Sequence, residues 1–201
     1  MTFVQQNWYR IGGVIAVGVL GALAFFGQNL SAVQFILLLN FVAILIHQFE
    51  EYVYPGTFPG HWNAEVSRSD QPSNYPLNAR SSMIANMWFG WPIYLVPVFF
   101  PQLVWLGLAP ALFGFTQVLS HGLLFPLRSA KLYSPGAITA VLLYLPIGIA
   151  FVREAQPTGL DWIIALALVP IIALISLAGP IKLLANRASP HHFEERQLRT
   201  S

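Results

Sequence analysis

His47, Glu50 and Glu51 close an apolar run, 33–46, that reads as a membrane helix. Two adjacent carboxylates and an imidazole are a costly ending for such a helix, because each ionisable group at membrane depth needs a partner, a proton or a metal. At 100° per residue, Glu50 lies about 60° to one side of His47 and Glu51 about 40° to the other. Asn40 falls within about 20° of His47, one heptad deeper. This polar stripe is expected to face a bundle interior or cavity. Histidine at i and a carboxylate at i+4 can clasp one cation, as the two histidines do in the zinc-protease helix motif. His47 and Glu51 are therefore candidate ligands, and Glu50 a candidate general base or bridge to a second ion. The plainer reading, a helix end whose acids meet water or Arg80, leaves the Asn40 stripe unexplained.

Composition fixes the setting. Of 201 residues, 56% are hydrophobic and only 9% charged, against about 25% in soluble domains. The mean hydropathy is +0.60. A chain this apolar must have lipid as its main solvent, and its length leaves room for helices of about 20 residues and little else. The formal charge of +2 is too small to suggest a nucleic-acid partner, and the basic residues form no cluster on one soluble face. No cysteine is present, so a bound metal would take nitrogen and oxygen ligands.

Six apolar stretches, at about 10–28, 31–52, 82–100, 102–126, 134–152 and 160–184, predict an all-α polytopic bundle with about six transmembrane helices. Residues 1–185 form one helical membrane domain and 186–201 a polar tail. Pro92, Pro97, Pro101, Gly107 and Pro110 make a broken or re-entrant third and fourth span an alternative. With six spans, nine of the ten Lys and Arg residues fall on one side and only Arg153 on the other. The positive-inside rule then puts both termini in the cytoplasm.

The same topology brings polar residues of three helices to one layer. Asn86 lies about a turn into the third span, and Gln117, Ser120 and His121 sit near the inner end of the fourth. His121 is a candidate third ligand. Asn40, Asn86 and Gln117 are candidates for orienting ligands or contacting substrate. Arg128, just past the fourth span, is an ordinary positive-inside residue or a holder of an anionic headgroup. His61 and Glu65 repeat the i,i+4 spacing in a loop. They supply a further ligand if that loop folds over the bundle, although Trp62 as an interfacial anchor with a solvated His61 is the commoner arrangement. His191-His192-Phe193-Glu194-Glu195 echoes the motif without an apolar helix before it, and reads as a solvated tail or peripheral helix.

The run His47-x-x-Glu50-Glu51, continuing Tyr52-Val53-Tyr54-Pro55-Gly56-Thr57-Phe58-Pro59, resembles the HxxEE family of integral membrane proteins. His121 and the segment Tyr133-Ser134-Pro135-Gly136-Ala137-Ile138-Thr139 are similar to later motifs of that family, with Ser134 where Asn is usual. The likeness covers about 30–150. It implies a functional site and no substrate.

Three classes of function fit these residues. The first is a membrane-embedded metalloenzyme acting on a lipid-like or apolar substrate. His47, Glu51 and His121 would hold a divalent metal, zinc before iron, and leave a position open. Zinc implies hydrolysis and iron implies oxidation. The second is a metal-free acid–base isomerase or cyclase of a terpenoid or sterol-like substrate, using the paired acids. The third is proton-coupled transport, disfavoured by polar groups clustered near one face and by the lack of inverted repeats. Membrane lipid and an amphiphilic small molecule are the expected partners. Oligomeric state is left open.

Overall fold

The computed structural model describes residues 2–199. Its helices are α1 (Phe3–Phe26), α2 (Ala32–Tyr52), a short α3 (58–66), α4 (79–99), α5 (Val104–Ser129), α6 (Ala137–Ala155) and α7 (Gly159–Leu183). Among the described residues no strand occurs. Five helices are long and apolar enough to cross a membrane: α1 with the turn that follows it, α2, α5, α6 and α7. The protein is thus a multi-pass helical membrane bundle. The sixth long helix, α4, is about 30 Å long at 1.5 Å per residue but carries Arg80, Ser81, Ser82 and Asn86.

Helix starts follow their capping residues. Ser31 accepts from the Gln34 N–H while Gln34 reaches back to the Ser31 N–H, a reciprocal box that opens α2. Thr158 and Asp161 do the same for α7. Asp161 also accepts the N–H of Trp105 at 3.2 Å, joining the start of α7 to that of α5.

Four prolines in the long helices accompany a local widening of the helical turn without breaking the helices. Pro92, Pro126, Pro146 and Pro180 each stand two residues after a π-helical turn, at 84–90, 120–124, 140–144 and 174–178. A proline cannot donate to the carbonyl four residues earlier, and its ring crowds that carbonyl. In every case the residue just before the proline donates five residues back: Trp91 to Asn86, Phe125 to Ser120, Leu145 to Ala140 and Gly179 to Leu174. The wider turn accommodates the ring and keeps the helix continuous. Residues 79–99 and 104–129 are each one continuous helix, joined by a short turn, so the prolines do not break either one.

The 53–78 loop and the C-terminal segment meet at one end of the bundle, beside the start of α1. Asn74 donates to the carbonyls of Arg187 and Ser189, Asn78 donates to Leu184, and Arg10 lies 3.8 Å from Glu194. The tail keeps His192, Glu194 and Glu195 exposed while others of its residues pack inward. Phe193 is 8% exposed and Gln197 2% exposed.

The middle of the bundle is closely packed. A side chain at Gly107 would come within 2.9 Å of Leu37 and Phe151, and one at Gly114 within 2.9 Å of the Tyr144 ring. Small residues here let α2, α5 and α6 approach closely. Gly107→Val is expected to overpack this contact at a cost of about 1–3 kcal/mol, read as a lower thermal midpoint in detergent. An unchanged midpoint would show that the helices have room to separate.

Candidate metal centre

The end of α2 carries His47, Gln48, Glu50 and Glu51, all buried. His121 comes from the π turn of α5 and is 2% exposed. Among the described residues, His47, Glu51 and His121 form the one group of three whose ligand atoms all lie within 4.8 Å of one another. The Nε2 atoms of His47 and His121 stand 3.7 and 3.5 Å from Glu51 Oε1.

The hydrogen bonds behind the two rings set their tautomers. His121 Nδ1 lies 2.7 Å from the carbonyl of Pro135. A carbonyl only accepts, so this nitrogen carries the hydrogen. His47 Nδ1 lies 2.9 Å from Thr139 Oγ1. That hydroxyl is 2.5 Å from Glu50 Oε2 and 3.2 Å from the Gly136 carbonyl, both acceptors, so its hydrogen is committed and it accepts from His47. Both rings therefore carry a hydrogen on Nδ1, and in their neutral form both turn an Nε2 lone pair toward the Glu51 carboxylate. Three electron-rich atoms converge with no donor between them.

Glu50 sits beside this cluster with both oxygens turned to the 133–139 segment. Its Oε1 accepts from the Tyr133 hydroxyl at 2.7 Å and the Ile138 N–H at 3.2 Å. Its Oε2 accepts from the Thr139 N–H at 2.8 Å and from the Thr139 hydroxyl. Burial, then the hydrogen bond and charge of Glu50, push the Tyr133 hydroxyl well above its ordinary pKa, so it remains a donor. Two donors on each oxygen leave little capacity to take a proton from water. The carboxylate instead satisfies free N–H groups at the start of α6, where negative charge also complements the positive end of the helix dipole.

The 133–139 segment forms the back wall. Gly136 has φ +104°, and a side chain there would come within 2.8 Å of both imidazoles. Sequence reasoning assigned no role to Tyr133, Gly136 or Thr139, although they were part of a recognised motif. It also missed Gln48, which is 1% exposed, accepts from Trp91 Nε1 at 2.7 Å and donates to Asn86 at 3.2 Å. Asn86 in turn donates to the Ser82 carbonyl at 2.9 Å. This chain of contacts ties the motif helix to α4.

The cluster opens on a cavity of about 80 Å³. Asn86, Gln117 and Ser120 give it polar walls, and Ile44, Phe113 and Ile172 apolar ones. Each of the five π turns among the described residues places a residue on its wall: Trp62, Asn86, His121, Tyr144 and Ser176. An extra residue in a helical turn re-aims the side chains around it, which is why such turns gather at working sites.

Other expected site residues lie elsewhere. Asn40 is buried in α2 away from this cavity, with an unpartnered Oδ1. Arg128 donates to the Val66 carbonyl at 3.0 Å and pins α5 to α3. His61 is fully buried rather than solvated. It pairs with Glu65 at 2.8 Å, and Lys131 lies 3.5 Å from that carboxylate. Burial lowers the His61 pKa while Glu65 opposes the shift. This pair does not join the His47–Glu51–His121 group.

A buried histidine–carboxylate cluster at the end of a membrane helix bundle is the class of site defined by this fold. The chain belongs to the family described as proteins of unknown function with HXXEE motif, whose pattern matches residues 38–151. No curated protein and no solved structure matches it.

Gly136→Ala is expected to cost about 1–3 kcal/mol from the positive φ, with a further loss from collision with the two rings. The check is the thermal midpoint of the purified variant. A midpoint equal to wild type would contradict the close approach of this turn to both histidines.

Proposed function

We propose that the protein is a membrane-embedded metalloenzyme in which His47, Glu51 and His121 hold one divalent metal, zinc before iron. One observation carries this reading: two imidazole lone pairs and a carboxylate oxygen face one another in a buried site. At 3.5 and 3.7 Å, the His–Glu separations are too long for hydrogen bonds. They approach the edge of about 3.3 Å implied by tetrahedral zinc with ligand bonds of about 2.0–2.1 Å. Two histidines and a carboxylate are a common donor set for catalytic zinc, with a fourth position left to water or substrate.

A metal here would supply Lewis-acid polarisation and a water acidified toward neutral pH. The chain's own residues do the rest. Pro135 and Thr139 hold the two rings in the tautomer that presents Nε2. Glu50 acts through the Thr139 hydroxyl on His47 Nδ1, so its charge increases the ring's basicity as a ligand. We assign it to positioning, not to proton abstraction. The mixed walls suit a lipid-like substrate with a polar reacting group, and hydrolysis is the reaction that zinc would favour. The nine-to-one distribution of Lys and Arg supports placing the site on the cytoplasmic side with both termini.

Elemental analysis of detergent-purified protein tests the assignment. Wild type is expected to hold about one equivalent of zinc, and His47→Ala, Glu51→Gln and His121→Ala almost none. Glu50→Gln is expected to retain metal with affinity about 10–100-fold weaker. Metal-free wild type, prepared without chelators, would overturn the reading in favour of acid–base chemistry by Glu51 and the histidines.

A further inference from the structure

The last turn of α2 has an electrostatic problem that its own sequence does not solve. Glu50 and Glu51 sit at the negative end of the helix dipole, where carboxylates are unfavourable. No basic residue occupies that turn. The Phe49 carbonyl accepts from the N–H groups of Val53 and Tyr54, and the Glu50 carbonyl from that of Gly56. The carbonyls of Tyr52 and Val53, just beyond, receive their partners from about 145 residues away in sequence. Arg196 Nη2 donates to Tyr52 O at 3.2 Å and Arg196 Nη1 donates to Val53 O. Gln197 Nε2 donates to Tyr52 O at 3.0 Å.

Two glycines in the loop after α2 admit this segment. A side chain at Gly56 would meet Arg196 Nη1 at 2.6 Å, and one at Gly60 would meet the Leu198 backbone at 2.7 Å. Phe193 is buried in the core, and its N–H donates to Ser73 O at 2.9 Å. The segment lies outside the 38–151 match to the family.

We propose that Arg196 and Gln197 are positioning residues: they clamp the end of the motif helix and thereby fix Glu51 against His47 and His121. Arg196 supplies both the missing cation and the missing donors. The link to ligand geometry rests on the metal reading above, whereas the clamp itself does not.

The test uses full-length protein in detergent, with zinc as the probe. Arg196 is 36% exposed at its side chain, so Arg196→Ala leaves the core intact, and Gln197→Ala provides a second, independent variant. Hydrogen exchange over residues 50–56 is expected to accelerate at least tenfold in either variant. Zinc affinity, measured by competition with a chromogenic chelator, is expected to fall about tenfold, in the range seen when partners of metal ligands are removed. Arg196→Lys, which keeps the charge but cannot span two carbonyls, should recover only part of both. Unchanged exchange overturns the proposal. Faster exchange with wild-type zinc affinity also overturns it, because the clamp would then not reach Glu51. If wild type itself binds no zinc while exchange still accelerates, the metal reading fails and the clamp stands.

Discussion

The arrangement depends on the cost of holding two imidazoles and two carboxylates in a bundle surrounded by lipid. Each such group must be paired, because an isolated buried charge is strongly unfavourable. Glu50 meets this demand with four donors from the 133–139 segment. Glu51 has instead two Nε2 atoms turned toward it, at 3.7 and 3.5 Å, which carry lone pairs when the rings are neutral. The site thus divides two adjacent acids into a satisfied anchor and an unsatisfied acceptor. A cation between Glu51 and the rings would resolve that imbalance.

Helix geometry supplies the frame. In α4, α5, α6 and α7 one proline each stands two residues after a π turn. These turns lie around one cavity, with a fifth in the loop helix that carries Trp62. Proline placement and site geometry are therefore linked: the same missing donor that bends the helix also aims His121 or Asn86 inward. Gly136 completes the frame by letting backbone lie where any side chain would displace both histidines.

Much of this was legible in the chain itself. Helical periodicity placed His47, Glu50 and Glu51 on one arc, and the six-span topology put His121 at the same depth. The division of labour between Glu50 and Glu51 was not legible, because it depends on N–H groups at the start of α6 that carry no side-chain signature. The prolines of the third and fourth spans suggested a break, since proline chemistry alone does not distinguish a broken helix from a widened turn. His61 was read as solvated because a loop histidine beside Trp62 offers no sign of how tightly the loop folds back. The tail was read as a solvated segment or a peripheral helix, with no sign of what it packs against. Its anchoring contacts are donors to backbone carbonyls, which any Arg or Gln could make, and only the three-dimensional path shows that Arg196 meets Tyr52 and Val53.

X-ray absorption at the zinc edge of the purified, zinc-loaded protein tests the central claim most directly. The account predicts a shell of nitrogen and oxygen at about 2.0–2.1 Å with the multiple-scattering signature of two imidazoles, reduced to one in His121→Ala. A shell with no imidazole signature, or one unchanged in that variant, would contradict it.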